Sequence, residues 1–132
     1  MGSVFSRIIS GEFPAHFVWK DERCVAFLSI NPLGPGHTLV VPRTEVDHWI
    51  DLDGQTLKVL MQVSQTVARA LQVAFNPTKV GLMIAGLEVP HVHVHLCPID
   101  GPHDLDLAKA GSNPGDAVLA EMAARISAEL PQ

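Results

Sequence analysis

The run His91-Val92-His93-Val94-His95 is the feature that most limits how this chain can fold. Successive side chains of a β-strand point to opposite faces, so residues two apart share a face. The alternation therefore predicts a strand over His91–Ile99, with its valines against the core and its three imidazoles together on the other side. A strand of this kind needs a sheet with a helical layer covering the valine face.

The remaining elements follow from hydrophobic periodicity and from turn residues. Short apolar runs predict strands at Phe17–Lys20, Cys24–Leu28, His37–Val41 and Val80–Ala85, the first two forming a hairpin. Apolar spacings of three and four predict one long helix over Leu52–Ala74, which Asp51 or Asp53 caps and Asn76-Pro77 ends.

After the last strand, residues 100–113 are rich in Gly, Pro and Asp and predict a loop. A C-terminal helix follows, with Asn113 as its N-cap and Pro114 in its first turn. The element order predicts an α+β fold: an antiparallel sheet of about five strands with the long helix and the C-terminal helix packed on it. We expect one domain over residues 1–132, with its core at about 4–99 and a variable loop and C-terminal helix at 100–132.

Composition excludes several classes of function. The formal net charge of -5 supplies no positive field for a nucleic-acid backbone, so we expect no nucleic-acid partner. The longest apolar runs fall short of the roughly 20 residues that cross a bilayer, and residues 1–7 resemble no signal peptide. We therefore expect a cytoplasmic protein without a membrane span, in which Cys24 and Cys97 are free thiols.

Three imidazoles on one strand face indicate a chemical site, because unpaired polar rings are unfavourable in a core. Two interpretations compete. Histidines at alternate strand positions can ligate zinc and leave an open position for water. Alternatively, one neutral imidazole attacks phosphorus while its neighbours fix its tautomer and donate to the phosphate.

The sequence resembles the histidine triad (HIT) nucleotide-binding and hydrolase superfamily, as a divergent bacterial-type member. The run at residues 91–95 matches its His-x-His-x-His signature. Pro35-Gly36-His37-Thr38-Leu39-Val40-Val41-Pro42 is similar to a second family segment, and Phe5 with Ile8-Ile9-Ser10-Gly11-Glu12 to its amino-terminal one. The likeness extends from about Val4 to Ile99.

This resemblance implies that His93 is a nucleophile that forms a nucleotidyl-imidazole intermediate. It implies that His95 hydrogen-bonds the phosphate and leaving group, that His91 shapes the site, and that His37 is the fourth histidine of a relay. Phosphoramidates or dinucleoside polyphosphates would then release a nucleoside monophosphate, a purine one by preference, without metal or cofactor. The resemblance also implies a homodimer with the long helix and the fourth strand at its interface.

Several residues depart from the family pattern around the expected substrate. Ser29 stands where an acidic residue usually meets the ribose, and Asn31 is either a second ribose contact or the start of a turn. In the shortened loop before the triad, Gly86 offers backbone N–H groups to phosphate, while Leu87 and Glu88 replace an amide and a small hydroxyl. These changes leave open a protein that binds nucleotides without turning them over.

A further departure is that Ser3-Val4-Phe5-Ser6 replaces the Cys-x-x-Cys segment with which many bacterial members hold a structural zinc. Serine hydroxyls are poor zinc ligands compared with thiolates. We therefore expect no structural zinc in this chain.

Overall fold

Within residues 2–131, which the computed structural model describes, five strands form one antiparallel sheet. They are β1 (Phe17–Lys20), β2 (Cys24–Leu28), β3 (Thr38–Pro42), β4 (Lys79–Met83) and β5 (Val94–Ile99), in the spatial order β1-β2-β3-β5-β4. The α-helices of this part of the chain are α1 (Val4–Ile9), α2 (Gly54–Phe75) and α3 (Asp116–Ser127). The predicted α+β class and the five-stranded sheet are confirmed.

Strand β5 lies inside the sheet, between β3 and β4. Its register with β3 pairs Leu39 with His95 and Val40 with Val94. Because paired residues of antiparallel strands point to the same face, the histidine side chains share a face with Leu39 and the valines share the other. The interior position of β5 places His95 between two neighbouring strands, where it pairs with Leu39 and Met83.

The valine face of the sheet packs against α2 and α3, as the alternation predicted. Val92, Val94 and Leu96 are at most 1% exposed and lie in one core cluster with the buried face of α2. That helix face consists of apolar residues at spacings of three and four, namely Leu60, Val63, Val67, Ala70 and Leu71. Burying this stripe keeps the sheet rigid beneath the histidines.

The opposite face carries a second cluster and helix α1, which the sequence analysis did not predict. Phe5 of α1 packs with Phe27, Leu39 and neighbouring strand residues. The helix is six residues long, too short to show a 3.6-residue period, and Ser3 caps it by accepting from the Ser6 N–H. The sheet is therefore covered on both faces, where the sequence pattern indicated helices on one.

Some predicted boundaries are wrong. Strand β5 begins at Val94 rather than His91, because the Val92 N–H donates to Val46 O and leaves the ladder. Strand β4 ends at Met83 rather than Ala85. Gly115, with φ of 98°, is the N-cap of α3, where Asn113 was predicted. Asn113 instead accepts from the Gly115 N–H and shapes the turn before the helix.

No helix in residues 2–131 is long and apolar enough to cross a lipid bilayer.

Candidate active site

His37 and His95 form a directed pair of rings whose tautomers are fixed from the backbone. The Leu33 N–H donates to His37 Nδ1 at 3.0 Å, so this nitrogen carries no proton in the neutral ring. The proton of His37 is therefore on Nε2, which donates to His95 Nδ1 at 2.9 Å. His95 is left with its proton on Nε2, as a hydrogen-bond donor.

His93 has the opposite tautomer. Its Nδ1 lies 2.8 Å from the carbonyl oxygen of His91, and a carbonyl oxygen can only accept. The proton of neutral His93 is therefore on Nδ1, and its Nε2 carries a free lone pair. The rings of His93 and His95 are edge to face with centroids 4.8 Å apart, so a ring with a free lone pair lies beside a ring with a free N–H donor.

His91 is fully buried and is held at both ring nitrogens. Its Nε2 donates to Pro42 O at 2.7 Å, which leaves Nδ1 to accept from the Ser3 hydroxyl at 2.7 Å. With both ring nitrogens occupied, His91 meets His93 through its backbone carbonyl.

Burial keeps these rings neutral near pH 7. Loss of hydration, reinforced by neighbouring His93, lowers the pKa of His37 to about 4 and that of His95 to about 3. Burial also lowers the pKa values of His91 and His93, although hydrogen bonds to backbone carbonyls oppose the shift. The site therefore presents uncharged imidazoles whose reactivity depends on which nitrogen carries the proton.

Helix α1 shields the His93 ring. The Phe5 ring packs edge to face with His93 at a centroid distance of 4.8 Å, and with His91 at 6.0 Å. His93 is 6% exposed and His95 9%, so each retains a small opening to solvent. A reacting group has to approach through that opening.

Of the predicted substrate-binding residues, Ser29 and Asn31 lie in the connection that leads from β2 to His37. The Ser29 hydroxyl accepts from the Asn31 N–H at 3.2 Å, which forms a local turn. The Asn31 side chain donates to Gly111 O at 3.2 Å, and the Gly111 N–H donates to Pro32 O at 2.9 Å. These bonds attach the loop at residues 100–113 to the segment that supports the relay.

Gly86 and Leu87 lie in the turn between β4 and the triad. They line a cavity of about 360 Å³ together with Asp47, His48 and Trp49. Leu87 is 92% exposed, so its side chain is free of the core. Ser29 therefore borders the same cavity as His37, whereas the cavity at Gly86 and Leu87 is lined by none of the four histidines.

Among the predicted substrate-binding residues, Glu88 acts electrostatically on the triad. Its negative charge favours protonation of His93 and so acts against the lowering of that pKa by burial. The side chain is exposed, which leaves the carboxylate largely screened by water.

Sequence reasoning missed four groups that orient the histidines. The Leu33 N–H fixes His37, the hydroxyls of Ser3 and Ser6 lie at His91 Nδ1, and Glu45 accepts hydrogen bonds from both serines. A backbone donor leaves no signal in a sequence. The sequence marks Ser3 and Ser6 only as the segment that replaces the zinc-binding cysteines, and Glu45 lies 39 residues further along the chain from Ser6.

The searched residues 2–131 hold no group of three or more His, Cys, Asp or Glu side chains placed to bind a metal ion. The triad rings are instead hydrogen-bonded to the ring of His37 and to backbone carbonyls.

The family model of the HIT domain matches residues 10–101 of this chain. This match covers the relay histidine, the triad and the sheet that carries them. The chain belongs to the HIT domain family. It is thereby placed in a superfamily of nucleotide-binding proteins and hydrolases.

This HIT domain is similar to other proteins both in sequence and in three-dimensional structure. An uncharacterised HIT-like protein of Methanocaldococcus jannaschii is 37% identical over 99 residues, which cover 72% of this chain and 77% of the relative. The crystal structure of a HIT-like protein from Bartonella henselae matches with a TM-score of 0.87 at 28% identity and covers 97% of this chain and 96% of that one. A hypothetical histidine triad nucleotide-binding protein of Sulfolobus tokodaii matches with a TM-score of 0.84 at 27% identity, with coverages of 96% and 90%.

Proposed function

We propose that this HIT domain is a hydrolase or nucleotidyl transferase that cleaves nucleoside phosphoramidates or dinucleoside polyphosphates through a covalent nucleotidyl-His93 intermediate. The observation that supports it is the pair of opposite tautomers: His93 has a free Nε2, and His95 beside it carries an Nε2–H. A neutral imidazole is nucleophilic without further activation.

In the first step, the lone pair on His93 Nε2 attacks the α-phosphorus of the substrate. A nitrogen–phosphorus bond forms, and the bond from phosphorus to the leaving nitrogen or oxygen breaks with its electron pair on the leaving atom. The Nε2–H of His95 donates to the phosphate or the leaving atom as negative charge develops there. The Nδ1–H of His93 stays bonded to the carbonyl of His91, which stabilises the positive charge that the ring acquires.

In the second step, water attacks the same phosphorus, and the nitrogen–phosphorus bond breaks with its electron pair returning to His93 Nε2, which releases a nucleoside monophosphate. The proton that the water loses passes to His95 Nε2 if that ring has protonated the leaving atom, and otherwise to solvent. The ring returns to its original tautomer because the carbonyl of His91 still holds the Nδ1–H. Gly86, Leu87 and Glu88, before the triad, and Ser29 and Asn31, before the relay, remain the proposed substrate contacts.

The test is the intact mass of the protein after brief incubation with a panel of purine nucleoside phosphoramidates and dinucleoside polyphosphates, quenched without acid. We expect one added nucleoside monophosphate on the wild type and none on His93→Ala. His103→Ala is the matched control, because His103 is an exposed loop histidine outside the relay. An adduct that persists in His93→Ala would contradict the proposal.

The same panel separates the alternatives. A nucleotide that raises the melting temperature without any adduct or product would identify a nucleotide-binding protein without turnover. Elemental analysis of protein purified without an affinity tag tests the metal alternative. Stoichiometric metal, with activity lost to a chelator, would replace the nucleophilic mechanism with a metal-based one.

We also propose that the protein works as a homodimer. Support comes from β4, a sheet-edge strand with Leu82 43% exposed, and from Val73 of α2, which is 64% exposed. An edge strand and exposed apolar side chains are typical of a self-association surface. Light scattering should give a molecular mass twice the 14.2 kDa of the chain. Leu82→Lys should reduce this mass, whereas Val118→Lys, at an exposed position of α3, should not. A monomeric wild type would reject this proposal.

A further inference from the structure

Glu45 lies in the exposed segment after β3 and connects that segment to the start of α1. Its Oε1 accepts from the Ser3 N–H at 2.6 Å and from the Ser6 hydroxyl at 2.6 Å. These hydrogen bonds hold the pKa of Glu45 below its ordinary value, so the carboxylate is ionised at neutral pH. One oxygen atom therefore fixes two groups at the beginning of α1.

The same two serines surround the free nitrogen of His91. Ser3 Oγ is 2.7 Å from His91 Nδ1, and Ser6 Oγ is 3.5 Å from it. A hydroxyl has one proton to donate, and the proton of Ser6 is directed to Glu45. Ser3 is therefore the donor to His91. Glu45 determines which serine has this role, because it accepts the proton of Ser6.

This cluster reaches His93 by two routes. The His91 carbonyl accepts from His93 Nδ1, so the placement of His91 sets the tautomer of the nucleophile. Phe5 lies between the two serines in sequence, and its ring packs against the His93 ring. A shift of α1 would therefore move both the ring that shields His93 and the hydroxyl that holds His91.

We propose that Glu45 is a positioning residue, which acts through Ser3, Ser6 and His91 to hold His93 in the Nδ1–H tautomer with its Nε2 free to react. The consequence for the rate rests on the function proposed above, whereas the consequence for the ring tautomers does not. Glu45 itself does not touch the substrate in this role.

The kinetic test compares Glu45→Ala with Glu45→Gln. Misplacement of a reacting group by about 1 Å lowers rates by about 100-fold, so we expect Glu45→Ala to lower kcat by about 10- to 100-fold with KM changed by less than about threefold. Glu45→Gln should recover most of kcat, because an amide oxygen still accepts both bonds. Thr44→Ala, at the exposed neighbouring residue, is the matched control and should behave as wild type.

The second readout is the ¹⁵N NMR of the histidine ring nitrogens, recorded without substrate. We expect a proton on Nε2 of His91 and on Nδ1 of His93 in the wild type, and mixed tautomers for both rings in Glu45→Ala. Urea unfolding checks that each variant is folded before it is compared.

The outcomes separate the two proposals. Unchanged ring signals in a folded Glu45→Ala overturn the role of Glu45, whatever the kinetics. Ring signals that change as expected support it even if the wild type forms no nucleotide adduct, in which case the proposed function fails by itself. A raised KM with unchanged kcat also overturns the role, because it assigns Glu45 to substrate binding.

Discussion

Acid should unfold this protein through its buried histidines, and the pH window follows from their pKa values. His37 and His95 have folded pKa values of about 4 and about 3, against an ordinary value of 6.5. Below pH 6.5 the unfolded chain binds protons that the folded chain does not. The contribution of these histidines to the free energy of unfolding is therefore complete above pH 6.5, and it is lost as the pH is lowered toward 3.

The slope of this loss can be worked out from the number of protons. Each histidine that is neutral in the fold and charged in the unfolded chain contributes about 1.4 kcal/mol per pH unit. His37 and His95 together give about 2.7 kcal/mol per pH unit near pH 5. The lowered pKa values of His91 and His93 act in the same direction.

The assay is urea unfolding at a fixed protein concentration from pH 5 to 8, followed by the fluorescence of Trp19 and Trp49. His95→Asn should reduce the slope near pH 5 by about 1.4 kcal/mol per pH unit, because one proton site is lost. Leu130→Ala, in the core against α2, is the control and should lower stability at every pH without changing the slope. A flat curve between pH 6 and 5 in the wild type would refute the reasoning.

Three further predictions concern the scaffold. Gly36→Ala should lower the free energy of unfolding by about 1–3 kcal/mol, because φ is +86° and the new Cβ would lie 2.8 Å from the Phe75 ring of α2. The control Gly34→Ala, which has open space around its Cβ, should lower the free energy of unfolding by less than half as much. Asp21→Ala should lower it by about 1–3 kcal/mol, because the carboxylate accepts from two backbone N–H groups and an indole, and equal urea midpoints would contradict this. Burial raises the pKa of Cys24 to about 11 and of Cys97 to about 12, so neither thiol should react with a disulfide reagent at pH 8 until the protein unfolds. Fast labelling of the native protein would contradict this, because it would show that the reagent reaches the two thiols.

The sheet and the long helix could be predicted from the sequence because both have a strong period. The alternation at residues 91–95 directed three imidazoles to one face, and the apolar stripe of α2 directed that helix to the other. Strand β5 nevertheless begins later than predicted, because a hydrogen bond between Val92 and Val46 depends on tertiary contacts that no local pattern records.

The parts of the site that could not be predicted rest on backbone groups or on short segments. Helix α1 has six residues, and its position against His93 depends on the single ring of Phe5. The tautomer of His37 depends on the N–H of Leu33, which any residue except proline would supply. Glu45 could not be connected to Ser3 before the fold brought them together.

The main-chain anchors of the relay have a consequence for how this site tolerates genetic change. The proton positions on His37 and His93 are fixed by an amide of Leu33 and a carbonyl of His91, and neither group belongs to a side chain. Random substitution at residue 33 should therefore be neutral for the relay, with proline as the one exception. Lineages of this chain can therefore vary the side chain at residue 33 while the proton position on His37 is inherited with the path of the backbone, whereas the proton position on His93 also depends on the Glu45 cluster that places His91.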